Sequence, residues 1–293
     1  MKFTIFTPTY NRAYVLNNLY QSLCKQTCKD FEWIIVDDGS TDNTAELCAS
    51  FTHEEFSVKY IKVPNQGKHV AINTGAKIAR GKWFFIVDSD DWLPEDSISK
   101  FLEEEKNIVS PKVGVLCGMR YNSKGARIGG DISFKNIECT PFYFRYTMKV
   151  KGDLAEAILT SVLREYPFPV YEDETFCPEA LLFNRIAKKY LTHYFNENVY
   201  FCEYLSDGLS AHITRMRMKN WRASTLCYAE QAECQVPVSV KIRSWINYWR
   251  FKLCAVYSGH NASEIRIPLI AHVFAPIGLF FHIKDKIMLG RDK

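Results

Sequence analysis

One segment of the chain joins a buried strand to a dense group of acidic side chains. Residues 83–87 (Trp-Phe-Phe-Ile-Val) form an uninterrupted apolar run, which is typical of a buried strand. Asp88, Asp90 and Asp91 follow within four positions. Carboxylates this close repel one another unless a positive charge lies among them. The segment therefore predicts an interior strand that ends at a polar site.

A divalent cation is the simplest positive charge for such a site. Oxygen ligands suit Mg²⁺ or Mn²⁺, and these ions are often held by one or two carboxylates together with substrate phosphates. The residues alone also allow a structural interpretation, in which an acidic turn precedes a helix that begins near Pro94. Both interpretations stay open at this point.

The preceding residues alternate between strand and helix patterns. Strands are predicted at 2–7, 31–36 and 58–63, and helices at about 15–23, up to residue 51, and 68–79. Short connections between alternating elements are typical of a doubly wound, mostly parallel sheet with helices on both faces. Ligands in such a sheet bind beyond the carboxyl ends of the strands. The turn at 8–12, the pair Asp37 and Asp38, and the acidic group after residue 87 all fall there.

Composition and missing motifs exclude several other classes. Hydrophobic residues make up 47% of the 293-residue chain, which excludes disorder, and the net charge of +4 does not indicate a general nucleic-acid binder. No Gly-x-Gly-x-x-Gly follows the first strand, and no P-loop pattern is present. The ten cysteines form no Cys-x-x-Cys pair, which fits a reducing cytoplasm. The N-terminus lacks the pattern of a signal peptide.

Five short motifs occur in order at the predicted strand ends. They are Thr-Pro-Thr-Tyr-Asn-Arg (7–12), Ile-Val-Asp-Asp-Gly-Ser-Thr-Asp (35–42), Asn-Gln-Gly-Lys-His (65–69), Ala-Ile-Asn (71–73) and Asp-Ser-Asp-Asp (88–91). Together they resemble the glycosyltransferase family 2 enzymes. The resemblance is dense over residues 1–95, looser to about 210 and weak beyond. It implies the GT-A fold and a nucleotide-diphosphate sugar as donor.

The resemblance also implies roles for individual residues. Asp38 is expected to contact uracil or another base, although an Asx turn would explain it equally simply. Asp90 and Asp88 are expected to hold the metal, and Asp91 belongs to the same group. Lys68 opens a helix whose N-terminus could meet a phosphate. The positions matched to the nucleotide-sugar site are Pro8, Thr9, Tyr10, Arg12, Asp38, Lys68, Asp88 and Ser89.

A second acidic stretch covers residues 172–179. An inverting sugar transfer needs a base for the acceptor hydroxyl, and family members carry an acidic residue before a helix of the pattern x-Leu-Trp-x-Arg. The run from Glu179 to Arg185 fits best, which implies that Glu179 is the base. Pro178 stands where many members have a second acid, so Asp173 and Glu174 remain alternatives. Carboxylates at helix N-termini also stabilise the helix dipole.

The remaining elements define the predicted domains. A strand is expected at 113–121, a helix at 154–163, a strand at 198–203 and a turn at 206–210. We predict a catalytic domain over 1–212, with a nucleotide-sugar half (1–95) and an acceptor half (96–212). A helical C-terminal region covers 213–293.

This C-terminal region carries a possible membrane signal. Residues 241–253 place Trp245 and Trp249 on one apolar helical face with basic flanks, which is typical of a helix in a membrane interface. The apolar run 267–283 is shorter than the roughly 20 residues that a membrane span needs. Lys284, Lys286 and the terminal basic residues would suit an anionic leaflet. Alternatively, both helices pack on the protein itself or on a second subunit.

The sequence thus predicts an inverting, Mn²⁺- or Mg²⁺-dependent hexosyltransferase or N-acetylhexosaminyltransferase. The expected donor is a UDP-sugar, and the expected acceptor is a glycan or lipid-linked glycan of bacterial surface polysaccharide synthesis. The expected location is the cytoplasm, at the inner face of the cytoplasmic membrane, with no nucleic-acid partner. One alternative is a nucleotidyltransferase acting on sugar phosphates, although no Gly-rich activation loop is visible. The other is a non-catalytic nucleotide-sugar-binding or scaffold protein.

Overall fold

The chain forms two compact units. The computed structural model describes residues 1–202, 213–255 and 265–291. The first unit comprises 1–167 and 189–204, and the second comprises 168–188 and 205–293. Residues 168–188 therefore group with the C-terminal helices, whereas the sequence assigned them to the catalytic half. The functional division at residue 212 stays a prediction, and the turn predicted at 206–210 lies outside the described residues.

The first half of unit 1 has the predicted alternation of strands and helices. Strand β1 pairs in parallel with β2 and β4, and β2 pairs in parallel with β3. Every residue of β1 and β2 is buried, because helices cover both faces of the sheet. The elements are β1 (Phe3–Thr9), α1 (Ala13–Cys24), β2 (Phe31–Asp37), α2 (Thr44–Ser50), β3 (Ser57–Lys62), α3 (Lys68–Ile78) and β4 (Trp83–Ile86).

The second half of unit 1 turns the sheet into a mixed one. Its elements are α4 (Ser97–Lys106), β5 (Val113–Tyr121), β6 (Asn136–Cys139), a π-helix (Tyr143–Thr147), β7 (Leu154–Leu159), α5 (Thr160–Glu165) and β8 (Leu191–Phe201). The strand order is β3-β2-β1-β4-β7-β5-β8-β6. β7 runs antiparallel to β4 and β5, β6 runs antiparallel to β8, and β5 pairs in parallel with β8. Four of the seven pairings are parallel, as predicted for a mostly parallel sheet.

The prediction of a helix over 154–163 is wrong for residues 154–159. Leu154–Leu159 form strand β7, and the helix begins at Thr160. The run Leu-Ala-Glu-Ala-Ile-Leu contains good helix formers, but it lies between β4 and β5 and exchanges backbone hydrogen bonds with both. Tertiary pairing therefore overrides the local preference. The strand predicted at 198–203 is the end of β8, which begins seven residues earlier.

Aromatic packing joins the two halves of the sheet. Phe101 of α4 is fully buried, and its ring centre lies 5.7 Å from that of Phe3, 4.8 Å from Phe85 and 5.3 Å from Phe195. These three partners belong to β1, β4 and β8. One side chain thus packs against strands from both halves, and the position of β8 relative to β4 depends on it.

Unit 2 is helical in its described residues. It contains α6 (Ala180–Ile186), α7 (Ile213–Lys219), α8 (Trp221–Glu233), α9 (Val238–Lys252), a 3₁₀ helix (Leu269–Phe274) and α10 (Ala275–Arg291). Trp245 is buried, and the Trp249 indole N–H donates to the carbonyl of Ala271 at 2.8 Å. The helix predicted to lie in a membrane interface, 241–253, instead packs within this unit through those tryptophans. No helix in the described part of the chain is long and apolar enough to cross a membrane.

We predict that Phe101→Ala lowers the free energy of unfolding by about 3–5 kcal/mol, because it removes a buried ring and leaves a cavity between the strands. Val109→Ala is the matched control, since Val109 is 89% exposed; its effect should stay within about 0.5 kcal/mol. Urea denaturation of both variants measures the difference. Equal effects would contradict the role given to Phe101.

Candidate functional site

The turn after β1 and the turn after β2 are joined by hydrogen bonds. Asn11 adopts the left-handed conformation (φ +52°), and its Oδ1 accepts the backbone N–H of Thr41 at 2.7 Å. The Asn11 N–H donates to Ser40 Oγ at 2.8 Å. Asp42 Oδ2 accepts the N–H of Ala13, the first residue of α1, at 3.1 Å. The two sequence motifs therefore form one rigid rim at the carboxyl ends of the strands.

Asp37 and Asp38 organise the loops around this rim. The Tyr60 hydroxyl donates to Asp37 Oδ2 at 2.5 Å. The two carboxylate oxygens of Asp38 accept the N–H groups of Gln66 and Gly67, each at 2.8 Å. Burial raises the pKa of Asp38 although these bonds oppose the shift. Asp38 thus fixes the loop that leads into α3. Its contact with a nucleobase stays a prediction, and the base would have to bind the lone pairs of the carboxylate that the loop does not use.

Lys68 supplies positive charge to the acidic group. It is the first residue of α3, and its Nζ lies 2.6 Å from Asp88 Oδ1. Burial acts to raise the pKa of Asp88, but the charges of Lys68 and Arg120 outweigh it and hold the pKa below its usual range. Asp88 is therefore a stable carboxylate. The sequence singled out Lys68 as a phosphate ligand, and the structure brings it to the predicted metal carboxylate.

Two residues that the sequence analysis missed complete this network. The Tyr200 hydroxyl on β8 accepts the Asp88 N–H at 3.0 Å and donates to Asp91 Oδ2 at 2.7 Å. The Arg120 guanidinium on β5 lies 4.0 Å from the centre of the Tyr200 ring, and its Nη1 is 3.8 Å from Asp91 Oδ2. Arg120 could have been recognised as a site residue from the sequence, because it is a charged residue in the apolar strand 113–121. Tyr200 could not have been recognised in this way, because it is one of several aromatic residues in its strand.

The three carboxyl groups differ in their surroundings. Burial raises the pKa of Asp91 to about 7, and the charge of Asp88 adds to the shift. Burial followed by the charge of Asp88 also raises the pKa of Asp90, whose side chain stays partly accessible. Burial and the charge of Asp88 thus disfavour a negative charge on Asp90, although Arg12 and Lys68 partly oppose them. A cation beside Asp90 would reverse that penalty.

The donor set fits a hard divalent cation that is completed by a substrate. In residues 1–202, 213–255 and 265–291, no three His, Cys, Asp or Glu side chains are grouped to enclose a metal. A cation here would therefore take one or two carboxylates from the protein and its other ligands from phosphate and water, which is how Mg²⁺ usually binds. Asp88 and Asp90 are both partly accessible, and Asp88 is paired with Lys68, so Asp90 suits that arrangement best.

The other residues predicted for the nucleotide-sugar site lie at neighbouring strand ends. β1 lies between β2 and β4, so the turn that follows it separates Asp38 from the acidic group. Thr9 is buried and its carbonyl accepts the Asp38 N–H at 2.8 Å. Tyr10 is exposed, and Arg12 is close enough for its charge to oppose the raised pKa of Asp90. Pro8 and Ser89 are buried.

The second acidic stretch belongs to unit 2. Glu174 is buried, and its carboxylate accepts the N–H groups of Arg222 and Ala223 at 2.7 and 2.9 Å, in the first turn of α8. Glu174 therefore caps a helix. Asp173 pairs with the Arg222 guanidinium. Glu179 is exposed and directly precedes α6, as the sequence predicted.

Arg185 has a structural partner within unit 2. Its Nη2 lies 2.6 Å from Glu230 Oε1, and its Nε lies 2.9 Å from Glu230 Oε2. This two-pronged ion pair joins α6 to α8. The Asn220 side chain accepts the N–H of Thr175 at 2.7 Å and ties the acidic stretch to the start of α8. Predicted as a site residue, Arg185 thus also positions the helix that follows Glu179.

Comparison with known proteins gives concordant family matches. The model of Glycosyl transferase family 2 matches residues 4–158. Glycosyltransferase GlyA of Streptococcus pneumoniae is 28% identical over 224 residues, which cover 73% of this chain and 31% of the relative. Glycosyltransferase GlyG of the same organism is 33% identical over 120 residues, which cover 41% of this chain and 39% of the relative. The matches thus span under half of the length of either relative.

Solved structures confirm the predicted GT-A fold. S. aureus TarS 1-349 in complex with UDP-GlcNAc has a TM-score of 0.63 at 19% identity and covers 97% of this chain and 81% of that one. Mannosyltransferase PcManGT from Pyrobaculum calidifontis, in complex with GDP-Man and Mn²⁺, has a TM-score of 0.58 at 17% identity and covers 97% and 88%. At these identities the likeness concerns the fold.

We predict that Tyr200→Phe lowers the free energy of unfolding by about 1–3 kcal/mol, because two buried groups, the Asp88 N–H and the Asp91 carboxyl, lose a shared partner. Tyr190→Phe is the matched control, since its hydroxyl bonds to Glu165 in an exposed ion-pair cluster and its loss should cost under about 0.5 kcal/mol. Chemical denaturation distinguishes the two. A Tyr200 variant as stable as the control would refute the bridging role.

Proposed function

Because the chain belongs to glycosyl transferase family 2, we propose that it is a glycosyltransferase that transfers a sugar, with inversion, from a UDP-sugar to a glycan acceptor. The observation that carries the proposal is the acidic group at the end of β4, where Asp90 stays accessible beside the Lys68–Asp88 pair. This group lies at the carboxyl edge of the parallel strands, next to the rim formed by the first two motifs. Such edges are the usual ligand sites of α/β sheets.

The donor diphosphate is proposed to bind at this acidic edge. Asp90, with Asp88, would hold Mn²⁺ or Mg²⁺, and the ion would neutralise charge on the departing diphosphate. Lys68, at the N-terminus of α3, would contact a phosphate oxygen and retain its contact with Asp88. Ser89 lies between the two metal carboxylates and Asp91 stabilises their loop through Tyr200.

The nucleoside is proposed to lie against the rim. Asp38 would contact the base, and Pro8, Thr9, Tyr10 and Arg12 would form the wall of the pocket. TarS was solved with UDP and with UDP-GlcNAc, whereas PcManGT was solved with GDP-Man. We favour a UDP-hexose or UDP-N-acetylhexosamine, and a GDP-sugar is the contrasting donor for any test.

A screen of nucleotide sugars by thermal unfolding tests the donor, with and without Mn²⁺. A ligand that binds only the folded state stabilises it by about 2.7 kcal/mol at a hundred times its dissociation constant. We expect UDP-sugars with Mn²⁺ to raise the midpoint, and GDP-mannose to leave it unchanged. Failure of every nucleotide sugar would overturn the proposal. Formation of a nucleotide sugar from a sugar phosphate and a nucleoside triphosphate would identify a nucleotidyltransferase, and binding without turnover a scaffold protein.

The acceptor hydroxyl is proposed to lose its proton to Glu179. The hydroxyl oxygen then attacks the anomeric carbon while the bond between that carbon and the diphosphate oxygen breaks, so the configuration inverts. Glu174 is a weaker alternative, because its two oxygens already cap α8. Asp173 remains an alternative, since it lies at the surface in an ion pair with Arg222. Arg185 would stabilise the helix that presents Glu179.

The acceptor class is proposed as a glycan or a lipid-linked glycan of bacterial surface polysaccharide synthesis. A lipid-linked acceptor would bring the protein to the inner face of the cytoplasmic membrane. The relatives that support this context include Chondroitin synthase of Escherichia coli, 33% identical over 107 residues. That match covers 36% of this chain and 16% of the relative.

We predict that Asp90→Asn abolishes transfer and weakens Mn²⁺-dependent binding of UDP, because an amide oxygen carries no charge to hold the cation. Asp96→Asn is the matched control, since Asp96 is exposed and pairs with Lys100 one helical turn away. Calorimetric titration of UDP with and without Mn²⁺ measures the effect. Unchanged metal-dependent affinity in Asp90→Asn would remove Asp90 from the metal site.

Glu179→Gln should lower single-turnover transfer by roughly 10²–10⁴-fold, the contribution of a positioned general base. Donor affinity should hardly change, because the carboxylate serves the acceptor. Asp173→Asn and Glu174→Gln are compared directly, and Glu174→Gln should mainly reduce stability through the α8 cap. A normal rate for Glu179→Gln with an inactive Asp173→Asn would move the base to Asp173.

A further inference from the structure

Helix α10 places two polar side chains on its inner face. His282 and Asp285 are buried. Asp285 forms a two-pronged ion pair with Arg250 of α9, with Nε–Oδ2 at 2.5 Å and Nη2–Oδ1 at 2.8 Å. The Nδ1 atom of His282 lies 2.9 Å from the Arg250 carbonyl oxygen. Helices of water-soluble proteins normally pack through an apolar face, whereas α10 packs on α9 partly through these two polar side chains.

A close approach of the two backbones at Gly278 completes this contact between α9 and α10, which we call the inner seam. A Cβ atom on Gly278 would lie 2.5 Å from the Cβ of Trp249 and 3.0 Å from the backbone N of Arg250. Only glycine fits at this crossing of α9 and α10. The seam therefore fixes which side of α10 faces its neighbour, and the opposite side is exposed.

The exposed side of α10 is apolar. Phe280, Ile283 and Ile287 lie at i, i+3 and i+7, on one helical face, and all three are exposed. The preceding 3₁₀ helix adds Leu269, 88% exposed, and Ile270. Nine of the seventeen exposed large hydrophobic side chains of the described residues lie within 269–288. This concentration in one segment differs from the single apolar residues that are scattered over most protein surfaces.

Within residues 265–289 the exposed charged side chains are all basic. Arg266, Lys284 and Lys286 are exposed. The only acidic residue between 265 and 289 is Asp285, which faces inward and pairs with Arg250. Long basic side chains at the edges of an apolar face can extend to an anionic surface while their stems stay in apolar surroundings.

We propose that this face, residues 269–288, docks on the surface of an anionic lipid bilayer. The apolar side chains enter the boundary between headgroups and acyl chains, and the three basic residues contact lipid phosphates. The proposed attachment is peripheral, with the helix lying along the membrane surface. The proposed surface replaces the one predicted from the sequence, because Trp245 and Trp249 pack inside unit 2.

A second copy of the chain fits this face less well. In a two-fold dimer the same patch lies on both sides of the contact. Lys284 of both copies would then lie in one contact, and residues 265–289 offer no exposed acidic side chain to offset the like charges. Binding of this face to lipid is independent of the proposed function. Only the further step, that the protein meets a lipid-linked acceptor at this surface, rests on the proposed function.

Flotation of the full chain with lipid vesicles, without donor or acceptor, tests the proposal. Vesicles contain phosphatidylcholine alone or mixed with phosphatidylglycerol. The parent should bind the anionic vesicles, and the variant Ile270→Gln/Phe280→Gln/Ile287→Gln should bind at least about tenfold more weakly. The control Val109→Gln/Val170→Gln/Val238→Gln changes exposed apolar residues elsewhere and should bind like the parent.

A charge variant keeps the test decisive if the apolar variant does not fold, which thermal unfolding would reveal. Lys284→Gln/Lys286→Gln should weaken binding to anionic vesicles by roughly fivefold per charge. No binding by the parent, or equal binding by the parent and either folded variant, would overturn the proposal. A dimeric parent that becomes monomeric through the apolar substitutions would also overturn it. Transfer activity is measured separately, so failure of lipid binding leaves the proposed function standing.

Discussion

The repulsion among Asp88, Asp90 and Asp91 is the constraint on which the arrangement of unit 1 depends. Three carboxyl groups in four positions are stable only because other elements supply charge and hydrogen bonds. Lys68 comes from α3, Arg120 from β5 and Tyr200 from β8. The last two belong to the mixed half of the sheet, so that half supports a site at the edge of the parallel half. Phe101 packs against Phe85 of β4 and Phe195 of β8, and so supports the position of β8 beside this site.

The parallel half could be predicted from the sequence because its signals are local. Apolar runs ending in Pro, Gly, Asn and Asp mark β1 to β4, and the motif residues follow directly. The mixed half could not, because β7 is defined by pairing with β4 and β5, far away in the chain. The hydrogen bonds of Tyr200 to Asp88 and Asp91 could not be predicted for the same reason. Tyr200 lies 112 positions from Asp88, and only the strand order brings them together.

The C-terminal region shows a different limit of sequence patterns. The sequence gives an apolar face in 241–253 and an apolar run in 267–283, but neither pattern shows which side of the helix is buried. Trp245 and Trp249 of α9 face the interior, whereas Phe280 and Ile287 of α10 face outward. The difference follows from the seam between the helices. Arg250 needs a buried partner, Asp285 supplies it, and Gly278 allows the approach. An ion pair therefore sets the orientation, and the apolar side is left at the surface.

The electrostatics of the acidic group also separate the roles of its members. Asp88 is compensated by Lys68, and its pKa lies below the usual range. Asp91 is buried, its pKa is raised to about 7, and it bonds to Tyr200. Asp90 has a raised pKa and keeps an accessible side chain. A cation would gain most beside Asp90, because there it relieves repulsion without displacing an existing ion pair. The three carboxyl groups thus differ in how much a cation would stabilise each of them, although they lie within four positions of the chain.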